Sequence, residues 1–334
     1  MGEVIRDPMG RVLDYIRISV TDRCNFRCTY CMPEGGIEWI PHNRILSYED
    51  ILFLCLVLSE MGVKRIRFTG GEPFVRKGFV PFLTEVRESL PDMRIAVTTN
   101  GSMLEAWARE IASMNLDSLN VSLDTLDREK FRQSTRTGDL DSVIRGIDSV
   151  LNEGVKAVKI NAVIMRSLNL DEIPSLLDFA AGCGMLLRLI EFMPLDDDVW
   201  SRTQFVSAEE MLDKLPDRAL WEALPGSGST SCGPSRYFKN KETGRIIGII
   251  PAVSNHFCRL CNRLRISSTG EVLPCLFSTS GVPLGEALRL RDRVRVKAAI
   301  LEAAASKPAG ATSVPGGEKP DKTGVHRHMS RIGG

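Results

Sequence analysis

The sequence predicts an α/β fold built on a mainly parallel sheet, and three observations favour it. Short apolar strand patterns alternate with helical patterns in about six units before residue 194. Glycine or polar residues separate these units. The residues with the most distinctive chemistry follow predicted strands. Right-handed crossovers between such strands allow a doubly wound sheet or a barrel, and the pattern leaves both open.

The elements of the first region follow in order along the chain. Ser47 opens the first helix with a capping-box-like sequence, and Gly62 ends it. The strands are predicted at residues 15–20, 65–69, 94–99, 118–123, 157–163 and 187–192. The helices are predicted at residues 51–61, 79–90, 104–114, 142–152 and 172–181.

The pattern changes after Met193, where strands become shorter and loops longer. Short strands are expected near residues 236–238, 245–250 and 264–267, with a helix at 291–306. Residues 307–334 are polar and have no period, which predicts a tail or a covering loop. We therefore expect two regions, residues 1–193 and residues 194–334.

Composition narrows the class of protein. The 334 residues are 43% apolar and 25% charged, as in an ordinary globular protein. A net charge of +1 gives no bulk electrostatic reason to expect nucleic acid or a membrane as partner. No apolar stretch reaches the roughly 20 residues of a membrane span, and no signal peptide is visible. Nine cysteines in such a chain suggest metal ligation in a reducing, cytoplasmic setting.

Three cysteines, Cys24, Cys28 and Cys31, form a Cys-x3-Cys-x2-Cys loop directly after the first strand. A structural zinc site and a simple ferredoxin cluster each use four protein ligands. Three thiolates would leave one iron of a cubane cluster open for a substrate. The alternative is three core thiols, but Asn, Arg and Thr between them are poor core patterning. The loop and its flanking aromatics resemble the radical S-adenosylmethionine (SAM) superfamily.

A second set, Cys258, Cys261 and Cys275, lies in the C-terminal half. One interpretation is part of a zinc site, with Cys232 or His256 as the fourth ligand. The other is a second cluster that again has an open iron. The residue types leave both interpretations open at this point.

Two arginines follow the second set at strand spacing. In an extended segment, Cys261, Arg263 and Arg265 share one face. Two guanidiniums beside a metal site make a fork for phosphate oxygens. A solvated edge strand with alternating charge is the alternative. The adjacent cysteine favours the phosphate site.

These features, with Gly70-Gly71-Glu72-Pro73 and the terminal Gly333-Gly334, resemble the GTP 3′,8-cyclase family of molybdenum-cofactor biosynthesis from Asp14 to the end of the chain. The resemblance implies a partial (β/α)6 TIM-type barrel with its site at the C-terminal strand ends. It also implies a smaller C-terminal α+β region that carries a second iron–sulfur cluster. The implied partners are GTP and an external electron donor, and a homodimer is left open.

The implied reaction converts GTP to (8S)-3′,8-cyclo-7,8-dihydroguanosine 5′-triphosphate. Its cofactors would be SAM and two 4Fe–4S clusters. An electron from the first cluster would cleave SAM to a 5′-deoxyadenosyl radical, which removes hydrogen from ribose C3′, and the carbon radical would attack C8 of guanine. The fold would hold the reacting atoms close and exclude water and oxygen.

The family's functional residues map onto this chain by motif. The first cluster would be held by Cys24, Cys28 and Cys31, and the second, whose open iron meets guanine, by Cys258, Cys261 and Cys275. SAM would contact Tyr30, Gly71, Glu72, Ser122 and Met193. GTP would contact Arg17, Arg67, Thr98, Lys159, Arg188, Arg263, Leu264 and Arg265, with Thr99 an alternative to Thr98. Gly333 and Gly334 would act at the active site.

Two other classes of protein are alternatives to the cyclase. A peptide-modifying radical SAM maturase usually carries about seven cysteines in its auxiliary domain, whereas this half has four with Cys232. A non-catalytic iron–sulfur or zinc protein needs far less than a six-unit α/β domain. The remaining special residues have structural interpretations. Cys55 and Cys183 are expected in packing, and His326 and His328 in a solvated tail.

Overall fold

The structure, a computed structural model, describes residues 4–194, 200–225, 233–310 and 329–332. Within these ranges twelve strands form one sheet in the order β12-β11-β10-β1-β2-β3-β4-β5-β6-β9-β8-β7. The strands are β1 (Tyr15–Ser19), β2 (Arg65–Thr69), β3 (Arg94–Thr99), β4 (Ser118–Ser122), β5 (Val158–Ile164), β6 (Leu186–Glu191), β7 (Trp221–Ala223), β8 (Arg236–Asn240), β9 (Ile246–Ile250), β10 (Arg263–Ile266), β11 (Glu271–Leu273) and β12 (Val282–Pro283).

The sheet is parallel at its centre and antiparallel at both ends. Strand β10, strands β1 to β6 and strand β9 form one continuous parallel run. Strands β11 and β12 close one end, and β8 and β7 close the other, by antiparallel pairing. The C-terminal half therefore extends the six-stranded centre on both sides. The predicted division at residue 193 stays a prediction.

The helices connect the parallel strands. The first begins with the predicted capping box, in which Ser47 and Asp50 exchange side-chain-to-backbone hydrogen bonds. The helices are α1 (Tyr48–Glu60), α2 (Phe79–Ser89), α3 (Ala108–Ser113), α4 (Arg128–Thr135), α5 (Leu140–Asn152), α6 (Ile173–Gly182), α7 (Ala208–Asp213), α8 (Gly285–Arg289), α9 (Arg293–Ala305) and α10 (Met329–Ile332). No helix in the described ranges is long and apolar enough to cross a membrane.

The predicted parallel α/β class is confirmed, and its six strands agree with the prediction to within a residue or so. The helix expected at 104–114 instead begins as a 3-10 turn, Glu105–Trp107, and continues as the short α3. Helix α4 was not predicted. Cys55 is fully buried in α1, as the packing interpretation expected.

The two faces of the central sheet have opposite chemistry. On one face, residues such as Ile16, Phe68 and Leu264 are fully or almost fully buried in the apolar core with the helices. Most of the alternate residues, which lie on the other face, are charged or polar. Parallel strands covered on both sides are usually apolar throughout. This alternation therefore indicates an open, barrel-like sheet whose inner face lines a polar site.

Candidate active site with two cysteine triads

The inner face of the sheet carries a row of arginines in register. Arg17 on β1 lies opposite Arg265 on β10 and opposite Arg67 on β2. Arg67 and Arg265 are each only 6% exposed. Lys159 on β5 and Arg188 on β6 continue the cationic surface across the sheet. Cations gathered from separate strands repel one another, so this arrangement indicates a site for a polyanion.

Arg67 is held in place by three acceptors on neighbouring strands. Its Nε donates to the Tyr15 hydroxyl at 2.6 Å, and its Nη1 donates to the carbonyl of Val97 at 3.0 Å and to Thr98 Oγ1 at 3.1 Å. The hydroxyl of Thr99 instead donates to a carboxylate oxygen of Glu72 at 2.8 Å. Of the two threonines, Thr98 therefore faces the cations.

Burial and mutual repulsion shift the pKa values of the titratable residues on this face. Burial lowers the pKa of Lys159 to about 8 and that of Arg265 to about 10, and neighbouring guanidiniums add to both effects. Burial alone would raise the pKa of Tyr15, but Arg67 and Arg17 outweigh it and hold the pKa at about 7. A bound polyanion would relieve the repulsion among the cations.

Two of the hydrogen-bond donors of Arg188 have no acceptor among the described residues. It lies between Asn161 on β5 and Gly248 on β9, and it is 9% exposed. A Cβ at Gly248 would stand 2.9 Å from its Cγ, so glycine makes room for the arginine. Within the described residues, Nε and Nη2 of Arg188 are buried without a hydrogen-bond partner. Unmet donors are costly, and an anionic ligand would satisfy them.

The first cysteine triad occupies the loop after β1, and the residues around helix α4 hold that loop. The backbone N–H groups of Arg27 and Thr29 donate to carbonyls at the end of α4, at 2.9 and 2.8 Å. Nη1 of Arg136 donates to the carbonyls of Arg27 and Met32, both at 3.0 Å. Arg136 has φ of +61°, a conformation that costs energy outside glycine.

Tyr30 lies between two of these cysteines and hydrogen-bonds with Asp124, a residue that sequence reasoning missed. Asp124 follows strand β4 and is 6% exposed. Its Oδ1 also accepts from the N–H of Val163 at 2.8 Å. Burial raises the pKa of Asp124 to about 6. An acid two residues beyond a strand end was the signal available in the sequence.

The Gly70–Pro73 turn packs directly on the cysteine loop. A Cβ on Gly71 would meet the carbonyl oxygen of Arg23 at 2.3 Å, so the close approach of the two loops requires glycine. Glu72 is fully buried and accepts from the N–H of Asn100 at 2.6 Å and from the hydroxyl of Thr99. Burial raises the pKa of Glu72 to about 7.

The other predicted contacts fall into three groups. Ser122 ends β4, and half-buried Met193 comes two residues after β6, at the strand ends where the cysteine loop also lies. Leu264 faces the apolar core and is 0% exposed, so it could contact GTP through its backbone. Gly333 and Gly334 lie outside the described residues.

The second triad gathers at the start of β10 and the end of β11. Cys258 begins a 3-10 turn, Cys261 precedes β10, and Cys275 follows β11. Burial alone would raise the pKa of Cys261, but Arg263 and Lys307 outweigh it and lower the pKa to about 6. The guanidinium of Arg263 also lies 4.7 Å from the ring of Phe257.

The donor set of both triads fits iron–sulfur clusters. None of the eight cysteines that the structure describes forms a disulfide, and the two triads supply soft sulfur donors. In the described ranges, no three Cys, His, Asp or Glu side chains are arranged to ligate one metal ion. Cys232, one of the two candidates for the fourth ligand of a zinc site, lies outside the described residues.

The chain is similar to proteins of one family over almost its whole length. Residues 18–180 match the Radical SAM superfamily model, and residues 185–313 match the Molybdenum Cofactor Synthesis C model. The chain is 37% identical to a GTP 3′,8-cyclase of Thermodesulfovibrio yellowstonii, covering 99% of this chain and 100% of the relative. It is 40% identical to the GTP 3′,8-cyclases of Rhodopseudomonas palustris and Rhizobium meliloti, covering 98% of this chain and 95% and 94% of theirs.

Among solved structures, Streptococcus suis SuiB bound to its precursor peptide SuiA aligns with a TM-score of 0.59 at 14% identity. The match covers 90% of this chain and 67% of SuiB. At this identity the likeness concerns the fold alone. The fold and the three-cysteine loop define a radical SAM enzyme. Within that class, the chain belongs to the GTP 3′,8-cyclase family. Its cofactors are those of the family, SAM and 4Fe–4S clusters.

Proposed function

We propose that the chain converts GTP to (8S)-3′,8-cyclo-7,8-dihydroguanosine 5′-triphosphate, the first step of molybdopterin biosynthesis, on the polar inner face of its sheet. The observation that carries this proposal is the row of Arg265, Arg17 and Arg67, in register on three adjacent strands. A row of guanidiniums on one face suits the several negative charges of a triphosphate.

In this proposal different cations contact different parts of GTP. Arg17, Arg67 and Arg265 hold phosphate oxygens, and Thr98 sits beside them through its contact with Arg67. Arg188 offers its unmet Nε and Nη2 to the same ligand. The further contacts are Lys159, Arg263 and the backbone of Leu264.

The first triad is proposed to hold the SAM-binding cluster. When bound, SAM and this cluster supply the radical that removes a hydrogen atom from ribose C3′ of GTP. The chain's own residues position SAM from the strand ends. These are Tyr30, held by Asp124; Gly71 and Glu72, in the turn on the cysteine loop; and Ser122 and Met193. An external electron donor is part of the proposal.

The second triad is proposed to hold the cluster that meets guanine. Cys261 lies two residues before Arg263, where β10 begins, so the strand that carries Arg263 and Arg265 would link the guanine end of the site to the phosphate end. Gly333 and Gly334 complete the site in this proposal. The residues of the inner face orient the nucleotide and exclude water, and the reacting carbons C3′ and C8 both belong to GTP.

Anaerobic turnover of SAM and GTP with a chemical reductant tests the proposal. The reconstituted full chain should contain about eight irons, four for each triad. It should form the cyclic nucleotide, identified by mass spectrometry. Changing Cys24, Cys28 and Cys31 together to Ser should abolish SAM cleavage but keep the second cluster.

The control is Cys183→Ser, because Cys183 lies outside both triads at the end of α6. This variant should keep both clusters and form product. Stoichiometric zinc in anaerobically purified protein, or product from the triple variant, would contradict the assignment of the first triad.

A further inference from the structure

Lys307 is a buried lysine that binds the loops of the second triad. It follows helix α9 and is only 6% exposed. Its Nζ donates to the carbonyl of Pro274, the residue before Cys275, at 2.7 Å. It also donates to the carbonyl of Arg263, two residues after Cys261, at 2.8 Å. One ammonium group therefore joins the two chain segments that carry these cysteines.

Arg11 connects Cys258, the remaining cysteine of the second triad, to the segment that carries Lys307. It is 8% exposed, and its Nε pairs with the carboxylate of Asp7. Its Nη1 donates to the carbonyl of Cys258, and its Nη2 donates to the carbonyl of Pro308 at 2.8 Å. Two cations from opposite ends of the chain thus fix the backbone around all three cysteines.

The surroundings of the Lys307 ammonium indicate which anion balances its charge. Among the described residues, no Asp or Glu forms an ion pair with it, although a buried ammonium is costly without an anion. The thiols of Cys261 and Cys275 are the acidic groups that act on it, and Arg263 and Arg11 add positive charge. Thiols bound to iron are anions. A cluster on this triad would therefore supply the missing negative charge.

The first triad has the opposite surroundings. The buried carboxyl groups of Glu72 and Asp124 act on its thiols, through Cys24 and Cys28 respectively. The chain thus places acids beside one triad and cations beside the other. Charges outside the ligand shell tune the reduction potential of a cluster.

We propose that Lys307 is a positioning residue of the second cluster, whose ammonium neutralises the iron-bound thiolates of Cys261 and Cys275 and holds their two loops together. This inference rests on the proposed assignment of that triad. A positive charge beside the cluster stabilises its reduced, more negative state. Lys307 therefore raises the reduction potential of the second cluster above the value that the cysteines alone would give.

The test compares Lys307→Met, which keeps length but removes charge, with the parent protein. Each is placed in a full chain that carries serine at residues 24, 28 and 31, so that spectra report the second cluster alone. We expect the midpoint potential, from a redox titration followed by electron paramagnetic resonance, to become more negative. In the chain with both triads, the second cluster should lose part of its iron, and the first cluster should keep all of it.

Two further variants make the result specific. Lys297→Met is the matched control, because Lys297 lies on the same helix α9 and pairs at the surface with Glu60 at 2.8 Å. It should leave the potential and the iron content unchanged. Lys307→Arg keeps the charge and should stay close to the parent.

An unchanged potential with full iron in Lys307→Met would overturn the inference. If that variant does not fold, Lys307→Arg decides the matter, since loss of the second cluster there would also overturn it. A parent chain without a second cluster would instead contradict the proposed function. The two failures are therefore distinguishable.

Discussion

Tyr15 shows how the inner face changes the chemistry of a single residue. Its hydroxyl accepts a hydrogen bond from Arg67, and the guanidinium of Arg65 lies 5.5 Å from its ring. Tyrosine usually ionises near pH 10, whereas the surrounding guanidiniums bring the pKa of Tyr15 to about 7. In the absence of nucleotide, a phenolate at this position offsets part of the positive charge.

We predict a pH dependence of stability that Tyr15→Phe removes. Between pH 7 and pH 10 the unfolded chain holds this proton more tightly than the folded chain, so the contribution of Tyr15 grows as pH rises. It is lost as pH falls through 7. Urea unfolding across this range, together with tyrosinate absorbance, measures the effect.

The control for this prediction is Tyr48→Phe. Burial raises the pKa of Tyr48 to about 12, so this residue does not titrate in the window. If the wild-type and Tyr15→Phe proteins show parallel stability profiles from pH 7 to pH 10, Tyr15 stays protonated and the predicted ionisation is wrong.

The arginines of β10 should contribute directly to nucleotide binding. Arg263→Ala or Arg265→Ala each removes a charge-assisted contact, so GTP binding should weaken by roughly 1.5–3 kcal/mol. SAM cleavage under reductant should persist without coupling to product. Calorimetry with GTP measures the loss. The control is Arg259→Ala, at an exposed position in the same segment, which should bind GTP normally. An unchanged affinity for GTP in the variant that carries both Arg263→Ala and Arg265→Ala would refute the phosphate assignment.

Site residues could be predicted from the sequence where a short local pattern reveals their role. Arg263 and Arg265 alternate beside a cysteine, so strand spacing alone places them on one face. Arg136 and Lys307 act through partners far along the chain, such as Pro274 for Lys307. Such contacts depend on the packing of whole elements, which no short sequence pattern encodes.

At the scale of elements, α4 supports the first cysteine loop, and its sequence explains why it was missed. Its eight residues are mostly polar, and the buried ones are Phe131, Ser134 and Thr135. It therefore lacks the apolar period by which the longer helices were found. Contacts with the cysteine loop and with α5 stabilise this helix, and they form only when the chain folds.

Arg136→Ala should loosen the first cysteine loop. The change removes hydrogen bonds to two carbonyls of the loop, each worth about 1 kcal/mol, while the unfavourable backbone conformation remains. We expect faster loss of iron from the first cluster under a chelator, with the second cluster unaffected. Arg132→Ala, at an exposed position on α4, serves as control. Equal rates of iron loss in both variants would assign the loop's stability to other contacts.

At the scale of the whole molecule, the C-terminal segment reaches the open end of the sheet. The carbonyl of Arg331 accepts from the N–H of Ser268 at 3.2 Å, just past β10, and Ile332 is 2% exposed. The guanidinium of Arg331 donates to the carbonyl of Glu38, in the loop that follows the first triad. Helix α10 is therefore fixed beside the strand ends.

Deletion of Gly333 and Gly334 should separate binding from turnover. The anchored α10 ends directly before them, so the fold, both clusters and SAM binding should remain near normal while conversion of GTP stops. Anaerobic turnover with product identification by mass spectrometry compares the full chain with the shortened one. Replacing both glycines with alanine keeps the length of the chain and tests whether glycine itself is needed. Equal product yields from the full and the shortened chain would show that the two glycines have no role in turnover.

The order of strands in the sheet has a consequence for biosynthesis. Strand β1 pairs with β10, and Tyr15 meets Arg263 only after almost 250 intervening residues have left the ribosome. Until β9 and β10 emerge, β6 and β1 each keep one open edge, and open edges are templates for aggregation. A polypeptide released after residue 194 would keep both edges open. We therefore expect the nascent enzyme to rely on chaperones until its C-terminal strands emerge, and its second cysteine triad can form only at that late stage.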